Sequence, residues 1–360
     1  MSTGSSRHDD RPVLITGGAG FVATNVAHRL LSAGRPVILF DNLSRAGVEQ
    51  NAQWLRDTHK RRVRLQVGDI RDRDAVHRVV RQAGQIYHFA AQVAVTTSLL
   101  DPFLDFDVNA RGTLNLLEAV RACDAPPSVL FTSTNKVYGD LEDIDLQRCA
   151  TRYEPRDPEL RGRGISEARC LEFHSPYGCS KGVAEQYVLD YTRTFGLRTV
   201  VFRMSCIYGP HQFGTEDQGW VAHFLIAARN QRPLTIYGDG LQVRDILFVE
   251  DLVDAMLLAQ EHVDELAGEA FNIGGGSGNT TSLVELLDLI GELMGDRPLA
   301  DVEAWRPADQ RYYVSDTRKF QQATGWRART SVREGVGRLH EWLLDQHSLQ
   351  PIAAARQVAS

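Results

Sequence analysis

Two residues at the start of a predicted helix could exchange a proton with an alcohol. Tyr177 and Lys181 are four positions apart, so their side chains share one face of an α-helix. An ammonium group beside a phenol favours the phenolate, so we expect the pKa of Tyr177 to lie below its usual value of about 10. Thr134 ends a predicted strand, where its hydroxyl could hydrogen-bond the same substrate oxygen. The three side chains could therefore deprotonate a hydroxyl group, although Tyr177 and Lys181 alone could also be a pair on a helix surface.

A glycine-rich turn near the N-terminus could hold a phosphate group. Gly17 and Gly20 follow the apolar run 12–16, and a helical pattern begins at Phe21. Glycines let the backbone approach a pyrophosphate, whose charge is favoured by the free N–H groups at the helix N-terminus. The turn therefore indicates a dinucleotide site, with Gly17, Gly20, Phe21 and Val22 as candidate contacts.

An acidic residue at the end of the next predicted strand indicates which dinucleotide binds. Asp41 has the spacing from the glycine turn, about 20 residues, that is typical of the acid that binds the ribose. A carboxylate there accepts hydrogen bonds from the ribose hydroxyls and repels a 2′-phosphate, so NAD is favoured over NADP. Arg45 weakens this preference only slightly. Asn42 and Ser44, which follow Asp41, are further candidate cofactor contacts.

Two further strand ends add candidate cofactor contacts. Asp69 and Ile70 follow the third predicted strand, where an acid could meet the adenine amino group or could simply end the strand in a turn. Ala90 and Gln92 follow the fourth, where small residues suit close passage of the cofactor. Since the carboxyl ends of parallel strands meet at one edge of a sheet, these residues would lie near Asp41.

The elements that must position these residues alternate between strand and helix. The two longest helical patterns span 108–123 and 177–195. Such alternation is typical of right-handed βαβ units and of a parallel sheet covered on both faces. The predicted strands are 12–16, 36–40, 63–67, 86–89, 129–132 and 199–202. The sequence therefore predicts an α/β fold with a Rossmann-type, doubly wound parallel sheet.

Beyond residue 205 the alternation loosens, which predicts a smaller C-terminal α/β lobe interleaved with the main domain. We assign 11–205 to the NAD-binding domain and 206–349 to the substrate lobe, with frayed tails at 1–10 and 350–360. The polar connection 140–175 is long for a compact domain, which is typical of a loop at a functional site. The predicted lobe elements are strands 234–237, 245–249 and 270–273 and helices 219–229, 250–260 and 283–294.

Composition limits the class of partner and the compartment. The 360-residue chain carries 40 basic and 46 acidic residues, for a net charge of −6. It lacks the basic excess of a nucleic-acid or anionic-membrane surface, and no apolar run approaches the roughly 20 residues that span a bilayer. Its five cysteines show no paired spacing, so neither a disulfide framework nor a zinc site is predicted. With no secretory signal at the N-terminus, we expect a cytoplasmic protein with free thiols and no metal.

Longer strings around these residues resemble a known family. They are similar to those of extended short-chain dehydrogenases/reductases, in the group of nucleotide-sugar epimerases and dehydratases, over nearly the full chain. The strings are 40–45, 133–140, 173–182, 217–221, 242–245 and 271–275. The resemblance implies that Thr134, Tyr177 and Lys181 form the catalytic set and that NAD is tightly bound and regenerated in each turnover. Ala23 departs from the last glycine of many relatives but is small enough to fit.

Within the family, these strings are similar to those of epimerases that invert C2 of a CDP-hexose. The resemblance implies conversion of CDP-paratose to CDP-tyvelose through a keto-sugar. Tyr177 would take the hydroxyl proton while the hydride of that carbon passes to NAD. Lys181 would hold the nicotinamide ribose, and Thr134 would steady the oxygen. The keto-sugar would then turn within the site, and the hydride would return to its other face.

The resemblance also implies a set of substrate contacts. Asn135 and Lys136 would face the sugar, Arg244 and Arg306 would hold the diphosphate, and Asp309 would hold the nucleotide ribose. Lys136 could instead be a solvated or structural residue, and either arginine could be a surface charge. Relatives often pair through a four-helix bundle, which 108–123 and 177–195 would supply here, so a homodimer or homotetramer is expected.

Several other functions stay open at this point. A dehydratase needs an acid–base pair beside Thr134, and this chain has Asn135 and Lys136 there, which disfavours dehydration. The same mechanism could act on another nucleotide sugar or carbon, such as a UDP-hexose at C4 or an NDP-heptose. A dehydrogenase and a catalytically inactive dinucleotide-binding regulator are further alternatives. His174 and His211 receive no predicted role.

Overall fold

The structure, a computed structural model, describes residues 10–306 and 309–345. The predicted tails, 1–10 and 350–360, lie outside the described residues apart from residue 10. The strands are β1 Val13–Thr16, β2 Val37–Asp41, β3 Val63–Val67, β4 Gln85–His88, β5 Ser128–Thr134, β6 Leu146–Arg148, β7 Tyr153–Pro155, β8 Thr199–Met204, β9 Cys206–Tyr208, β10 Leu234–Tyr237, β11 Val243–Phe248, β12 Glu269–Ile273, β13 Thr280–Ser282, β14 Ala300–Glu303 and β15 Tyr312–Tyr313.

Helices cover both faces of the largest sheet and fill the C-terminal lobe. They are α1 Phe21–Ser32, α2 Val48–His59, α3 Arg73–Val80, α4 Val95–Leu100, α5 Pro102–Phe106, α6 Gly112–Arg121, α7 Pro158–Arg163, α8 Ser175–Phe195, α9 Trp220–Arg229, α10 Val249–Glu261, α11 Val263–Leu266, α12 Leu283–Met294, α13 Arg318–Thr324 and α14 Val332–Asp345. Short 3₁₀ turns lie at Lys60–Arg62 and Asn135–Tyr138, and a π-helical turn lies at Asp107–Arg111.

Seven parallel strands form the main sheet, in the order β12-β8-β5-β4-β1-β2-β3. Every residue of β1 and β5 is buried, as expected for strands that are covered on both faces. The strand order reverses between β1 and β4, and in doubly wound sheets ligands bind at the carboxyl ends of the strands at such a point. The predicted α/β fold with a doubly wound parallel sheet is confirmed.

The chain enters the C-terminal lobe, returns to the main domain and then leaves it again. β12 pairs with β8 and completes the main sheet, and α10 packs in the same core as α1. The lobe has its own core among α9, α12, α14, β10 and β11. Its strands form one sheet around β11 and a separate pair, β10 with β14. This route places β11 beside β9, directly after the main-sheet strand β8.

The segment 140–175 has more structure than the predicted polar connection. It contains the antiparallel pair β6–β7 and the helix α7. Arg152 forms an ion pair with Glu285 at the start of α12, and the main chain of Ile165 pairs with that of Ser315. The segment is therefore fixed to the lobe on its way to the start of α8.

Candidate active site

A cleft of about 490 Å³ lies between the carboxyl ends of the main sheet and the C-terminal lobe. Its lining includes the glycine turn after β1, the ends of β5 and β8, the start of α8 and, from the lobe, β11 and α9. The cleft brings together the predicted catalytic residues and the predicted sugar and diphosphate contacts. The candidates Asp41, Asn42, Ser44, Asp69, Ile70, Ala90 and Gln92 lie outside this lining, on the main-domain side.

The glycine turn has the geometry of a pyrophosphate cradle. Gly17 has φ +64°, and a Cβ there would lie 2.7 Å from the main-chain nitrogen of Ala90. The close approach of β1 and β4 therefore requires glycine at this position. Gly20 is the N-cap of α1 and brings no side chain that could cap the helix. The first turn of α1, from Phe21, thus presents its N–H groups and its positive dipole end toward the cleft, which fits the pyrophosphate of NAD.

The carboxylate of Asp41 is held in place at the end of β2. Its Oδ2 accepts a hydrogen bond of 3.0 Å from the N–H of Ala19, and its Oδ1 accepts one of 2.8 Å from Leu43. Both oxygens keep lone pairs for ribose hydroxyls, since a carboxylate has about four acceptor sites. The next residue, Asn42, reaches across to Asp69 with a hydrogen bond of 3.1 Å.

Three other candidates already contact groups within the protein. Arg71 binds Asp69 through Nε at 2.9 Å and Nη2 at 2.8 Å, and these hydrogen bonds hold the pKa of Asp69 far below its usual value. Ile70 is buried against Gly112. Ser44 is exposed, and its main-chain N–H donates to the side chain of Asn42. The roles of these residues toward adenosine stay predictions.

Gln92 turns its side chain into the protein. Its Nε2 donates to Asp105 Oδ1 at 2.9 Å and to Ala94 O at 2.8 Å, while its own N–H donates to Asn109 Oδ1 at 2.9 Å. Asn109 also donates to Ser180 Oγ, on the catalytic helix, at 3.0 Å. The Gln92 side chain is therefore held by groups of the protein, and its predicted contact with the cofactor stays a prediction.

A π-helical turn makes this network possible. The sequence predicts one regular helix over 108–123, but Asp107–Arg111 is π-helical and α6 begins only at Gly112. Asn109 is buried in that turn and reaches both the loop after β4 and α8. The apolar periodicity of the segment does not reveal the extra residue, so the sequence analysis missed Asp105, Asn109 and Ser180.

Tyr177, Lys181 and Thr134 meet in the cleft. The Thr134 hydroxyl lies near enough to the Tyr177 phenol to lower its pKa, and Lys181 Nζ donates to Thr132 O at 2.6 Å. Tyr177 lies in the first turn of α8, which begins at Ser175 with Pro176 in its first turn, and Thr134 ends β5. The geometry places one phenol and one hydroxyl where a single substrate oxygen could contact both.

The predicted lowering of the Tyr177 pKa is wrong. Burial raises the pKa of Tyr177 to about 12, and the hydrogen bond from Thr134 only partly offsets this. Burial also lowers the pKa of Lys181 to about 7. The ammonium of Lys181 points at a main-chain carbonyl of β5, so its charge does not stabilise the phenolate as the helical spacing suggests.

A cluster of three charged side chains lies beside Thr134. Lys136 Nζ is 4.0 Å from Asp309 Oδ1, and Arg244 Nη2 is 2.9 Å from that same oxygen. The adjacent Asn135 is buried and donates to Gln310 Oε1 at 3.2 Å. The structure thus brings four of the five predicted substrate contacts together at one wall of the cleft.

The fifth predicted contact, Arg306, lies in a different cluster. Its guanidinium is 3.7 Å from the ring centroid of Tyr237, 3.5 Å from Glu216 Oε1 and 3.8 Å from Asp217 Oδ1. The two carboxylates offset its charge, and its side chain is 26% exposed. Arg306 therefore differs from Arg244, whose side chain is only 9% exposed.

A buried ion pair that the sequence analysis missed supports the catalytic helix. Arg203 on β8 donates to Glu185 on α8 at 3.0 and 2.5 Å, and to the hydroxyl of Tyr138 at 2.8 Å. Tyr138 belongs to the 3₁₀ turn that carries Asn135 and Lys136. The network therefore connects the sugar-facing turn, the main sheet and α8.

The two histidines without a predicted role pack against protein groups. His174 Nδ1 is 2.7 Å from Asp140 Oδ2, and the His211 ring is 4.1 Å from that of Trp54. Within residues 10–306 and 309–345, no helix has the length and apolar character needed to cross a bilayer.

Comparison with known proteins assigns the family. Residues 13–274, well over half of the chain, match the model of the NAD dependent epimerase/dehydratase family. The chain belongs to this family. It is an NAD-dependent enzyme, and the glycine turn and Asp41 are the residues whose geometry fits that cofactor.

Relatives within the family act on nucleotide sugars. The chain is 44% identical over 338 residues to a CDP-paratose 2-epimerase of Salmonella typhi, an alignment that covers 92% of this chain and 98% of the relative. A UDP-glucose 4-epimerase of Thermus thermophilus, solved with NAD, has a TM-score of 0.78 at 31% identity, covering 92% of this chain and 99% of that one. A UDP-glucose 4-epimerase of Thermotoga maritima, solved with UDP-glucose, has a TM-score of 0.78 at 29% identity and covers 94% and 100%. These similarities confirm the prediction that the protein is a nucleotide-sugar epimerase.

Proposed function

We propose that the protein is a CDP-hexose 2-epimerase that interconverts CDP-paratose and CDP-tyvelose. The observation that carries this proposal is the 44% identity to the Salmonella typhi CDP-paratose 2-epimerase over nearly the whole of both chains. Identity to the solved UDP-glucose 4-epimerases is lower, at 29% and 31%. The charged group of Lys136, Arg244 and Asp309 supports a substrate that carries a diphosphate.

The residues of the cleft divide the proton chemistry among them. Thr134 and Tyr177 receive the C2 hydroxyl, and Tyr177 takes its proton once the phenol is ionised. The Thr134 hydrogen bond stabilises that ionised form, since it lowers the pKa of Tyr177. Lys181 is fixed on Thr132 O one turn further along α8, where it could hold the nicotinamide ribose. NAD, when bound, supplies the hydride acceptor and returns the hydride to the same carbon.

The groups beside Thr134 disfavour dehydration. Loss of water from a keto-sugar needs an acid and a base of tunable pKa near the sugar. The side-chain amide of Asn135 does not titrate, and its nitrogen donates a hydrogen bond to Gln310 Oε1. Lys136 is the single titratable side chain of this pair. The arrangement suits oxidation and re-reduction at one carbon, without elimination.

Proton NMR in D₂O tests the proposed reaction. Purified protein, with its bound NAD and none added, is incubated with CDP-tyvelose. We expect CDP-paratose that carries no deuterium at C2, because the hydride returns without exchange with solvent. Deuterium at C2 would show deprotonation of carbon and contradict the mechanism. No reaction in the presence of bound NAD would show that CDP-tyvelose is not a substrate. UDP-hexoses would then be tested in the same assay.

We also propose a homodimer or homotetramer that works in the cytoplasm. Leu100 and Phe103, on α4 and α5, are 83% and 86% exposed, and Tyr187 on the neighbouring α8 is 42% exposed. Apolar patches of this kind mark protein interfaces. The five cysteines are free thiols, as a reducing compartment requires. Light scattering of the wild type and of Phe103→Ser tests assembly, and a monomeric wild type would contradict it.

A further inference from the structure

Two cationic side chains converge on one carboxylate at the inner wall of the cleft. Lys136 Nζ and Arg244 Nη2 both approach the same oxygen of Asp309, at 4.0 and 2.9 Å. The cations come from different parts of the fold, the turn after β5 and the strand β11. Their shared partner places both within reach of a single small anion, such as one diphosphate group.

A second positive charge lies close enough to Lys136 to affect its pKa. Its pKa is lowered to about 8, first by burial and then by the like charge of Arg244. Asp309 raises the pKa, but by less than Arg244 lowers it, and Cys206 and Asp140 contribute smaller increases. An anion between Lys136 and Arg244 would relieve this repulsion. By contrast, Arg306 already lies within 4 Å of two carboxylates.

Lys136 is also bound closely to the catalytic group. Its main-chain N–H donates to Thr134 Oγ1 at 3.2 Å, and Thr134 lowers the pKa of Tyr177. A Cβ at Gly178, the residue after Tyr177, would lie 3.2 Å from the carbonyl oxygen of Lys136. The turn that carries Lys136 therefore packs directly against the first turn of α8. Lys136 and Tyr177 both line the cleft, so a phosphate held by Lys136 would share the cleft with Tyr177.

We propose that Lys136 binds the β-phosphate of the sugar nucleotide together with Arg244, and that this contact selects C2 for oxidation. The selection of C2 rests on the proposed function. C2 is bonded to the anomeric carbon that carries the phosphate, whereas C4 lies across the ring. An enzyme that oxidises C2 must therefore hold the phosphate closer to its tyrosine, by roughly the width of a sugar ring, than one that oxidises C4. An ammonium two residues after Thr134 meets this requirement.

The binding of CDP and CMP by the NAD-loaded enzyme tests the phosphate contact. Lys136→Met should weaken CDP binding about 10- to 100-fold, the effect of one lost charge-assisted contact, and change CMP binding by less than about threefold. Lys136→Arg should restore most of the affinity for CDP. Lys60→Met, at an exposed lysine, is the matched control and should change neither. Calorimetry gives the affinities, and the NAD content and melting temperature of each variant report its folding.

A pH series adds a readout that a purely structural lysine would not change. Wild-type affinity for CDP should fall as the pH rises above about 8, where Lys136 loses its proton, and the Lys136→Met affinity should stay flat. Unchanged CDP affinity in Lys136→Met would overturn the proposal, as would an equal loss for CDP and CMP. These experiments need no turnover, so they judge the phosphate contact separately from the NMR assay. A reaction at C4 in that assay would overturn the selection of C2 and the proposed function together.

Discussion

The cofactor end and the substrate end of the cleft are formed by different kinds of contact. The cofactor end consists of main chain and short side chains at the ends of neighbouring strands, as where Gly17 meets Ala90 and Asp41 accepts from Ala19. The substrate end consists of long side chains from distant segments, such as Arg244 with Asp309 and Asn135 with Gln310, 175 positions apart. Sheet geometry therefore fixes the cofactor end. The substrate end depends on individual polar contacts, which can change without altering the sheet.

The largest effect is expected at Tyr177, where the two ends meet. Tyr177→Phe removes the group that takes the substrate proton and leaves the ring in place. We expect the epimerisation rate to fall by about three orders of magnitude, within the range for loss of a general base. The NAD content should stay unchanged, because the cofactor end does not depend on the phenol hydroxyl. Turnover by NMR and NAD content by absorbance check this, and full activity would remove Tyr177 from the mechanism.

A pair of glycines tests how rigidly the cofactor end is built. Gly17→Ala adds a Cβ that would lie 2.7 Å from the Ala90 nitrogen at φ +64°, so we expect a loss of about 2–4 kcal/mol in stability and of bound NAD. Gly34, past the other end of α1, has φ +84°, but a Cβ there would meet no described atom within 4 Å.

Gly34→Ala is therefore the matched control, and it should cost about 1 kcal/mol without loss of NAD. Urea unfolding and NAD content separate the two effects. Equal losses in both variants would show that backbone strain, and not the approach of β1 to β4, sets the requirement for glycine.

The same contrast explains what the sequence predicts well. β3 is predicted with its exact bounds, 63–67, and the glycine turn and Asp41 lie where the strand–helix alternation places them. Those features follow from local periodicity and from the rule that ligands bind at strand ends. Thr134, Tyr177 and Lys181 meet in the cleft for the same reason.

The features that sequence reasoning missed depend on tertiary contacts. The Arg203–Glu185 pair joins residues whose charge alone would place them on the surface. The π-helical turn at Asn109 has no signature in the apolar pattern. The sign of the Tyr177 pKa shift depends on burial of the phenol and on where Lys181 points, and neither can be derived from their spacing.

Replacing Asp41 changes the cofactor end without touching the sheet. Asp41→Asn leaves one amide oxygen to accept from two main-chain donors, Ala19 and Leu43, and removes the negative charge. We expect NAD affinity to fall about tenfold and the preference for NAD over NADP to shrink by a larger factor. Fluorescence titration with both cofactors measures this, with Asp124→Asn at an exposed site as control. An unchanged cofactor preference would show that Asp41 does not contact the ribose.

The smallest expected effect compares the two ends through their lysines, Lys181 and Lys136. The folded pKa is about 7 for Lys181 and about 8 for Lys136, below the unfolded value of about 10.4. Above each folded pKa the unfolded chain binds more protons, so the free energy of unfolding rises with pH, by at most about 1.4 kcal/mol per unit for each lysine. From pH 7 to 8 only Lys181 contributes this rise, and from pH 8 to 9 both do.

Urea unfolding at pH 7, 8 and 9, at a fixed NAD content, resolves the two contributions. Lys181→Met should remove part of the rise in both intervals. Lys136→Met should remove part of it only above pH 8, and by less, because the Lys136 side chain is 20% exposed. Equal slopes in the wild type and Lys181→Met between pH 7 and 8 would mean that the ammonium at the cofactor end keeps its charge there. Of these two lysines, Lys136 at the substrate end would then be the one that changes its charge near neutral pH. This is the end of the cleft at which we propose that an anion binds.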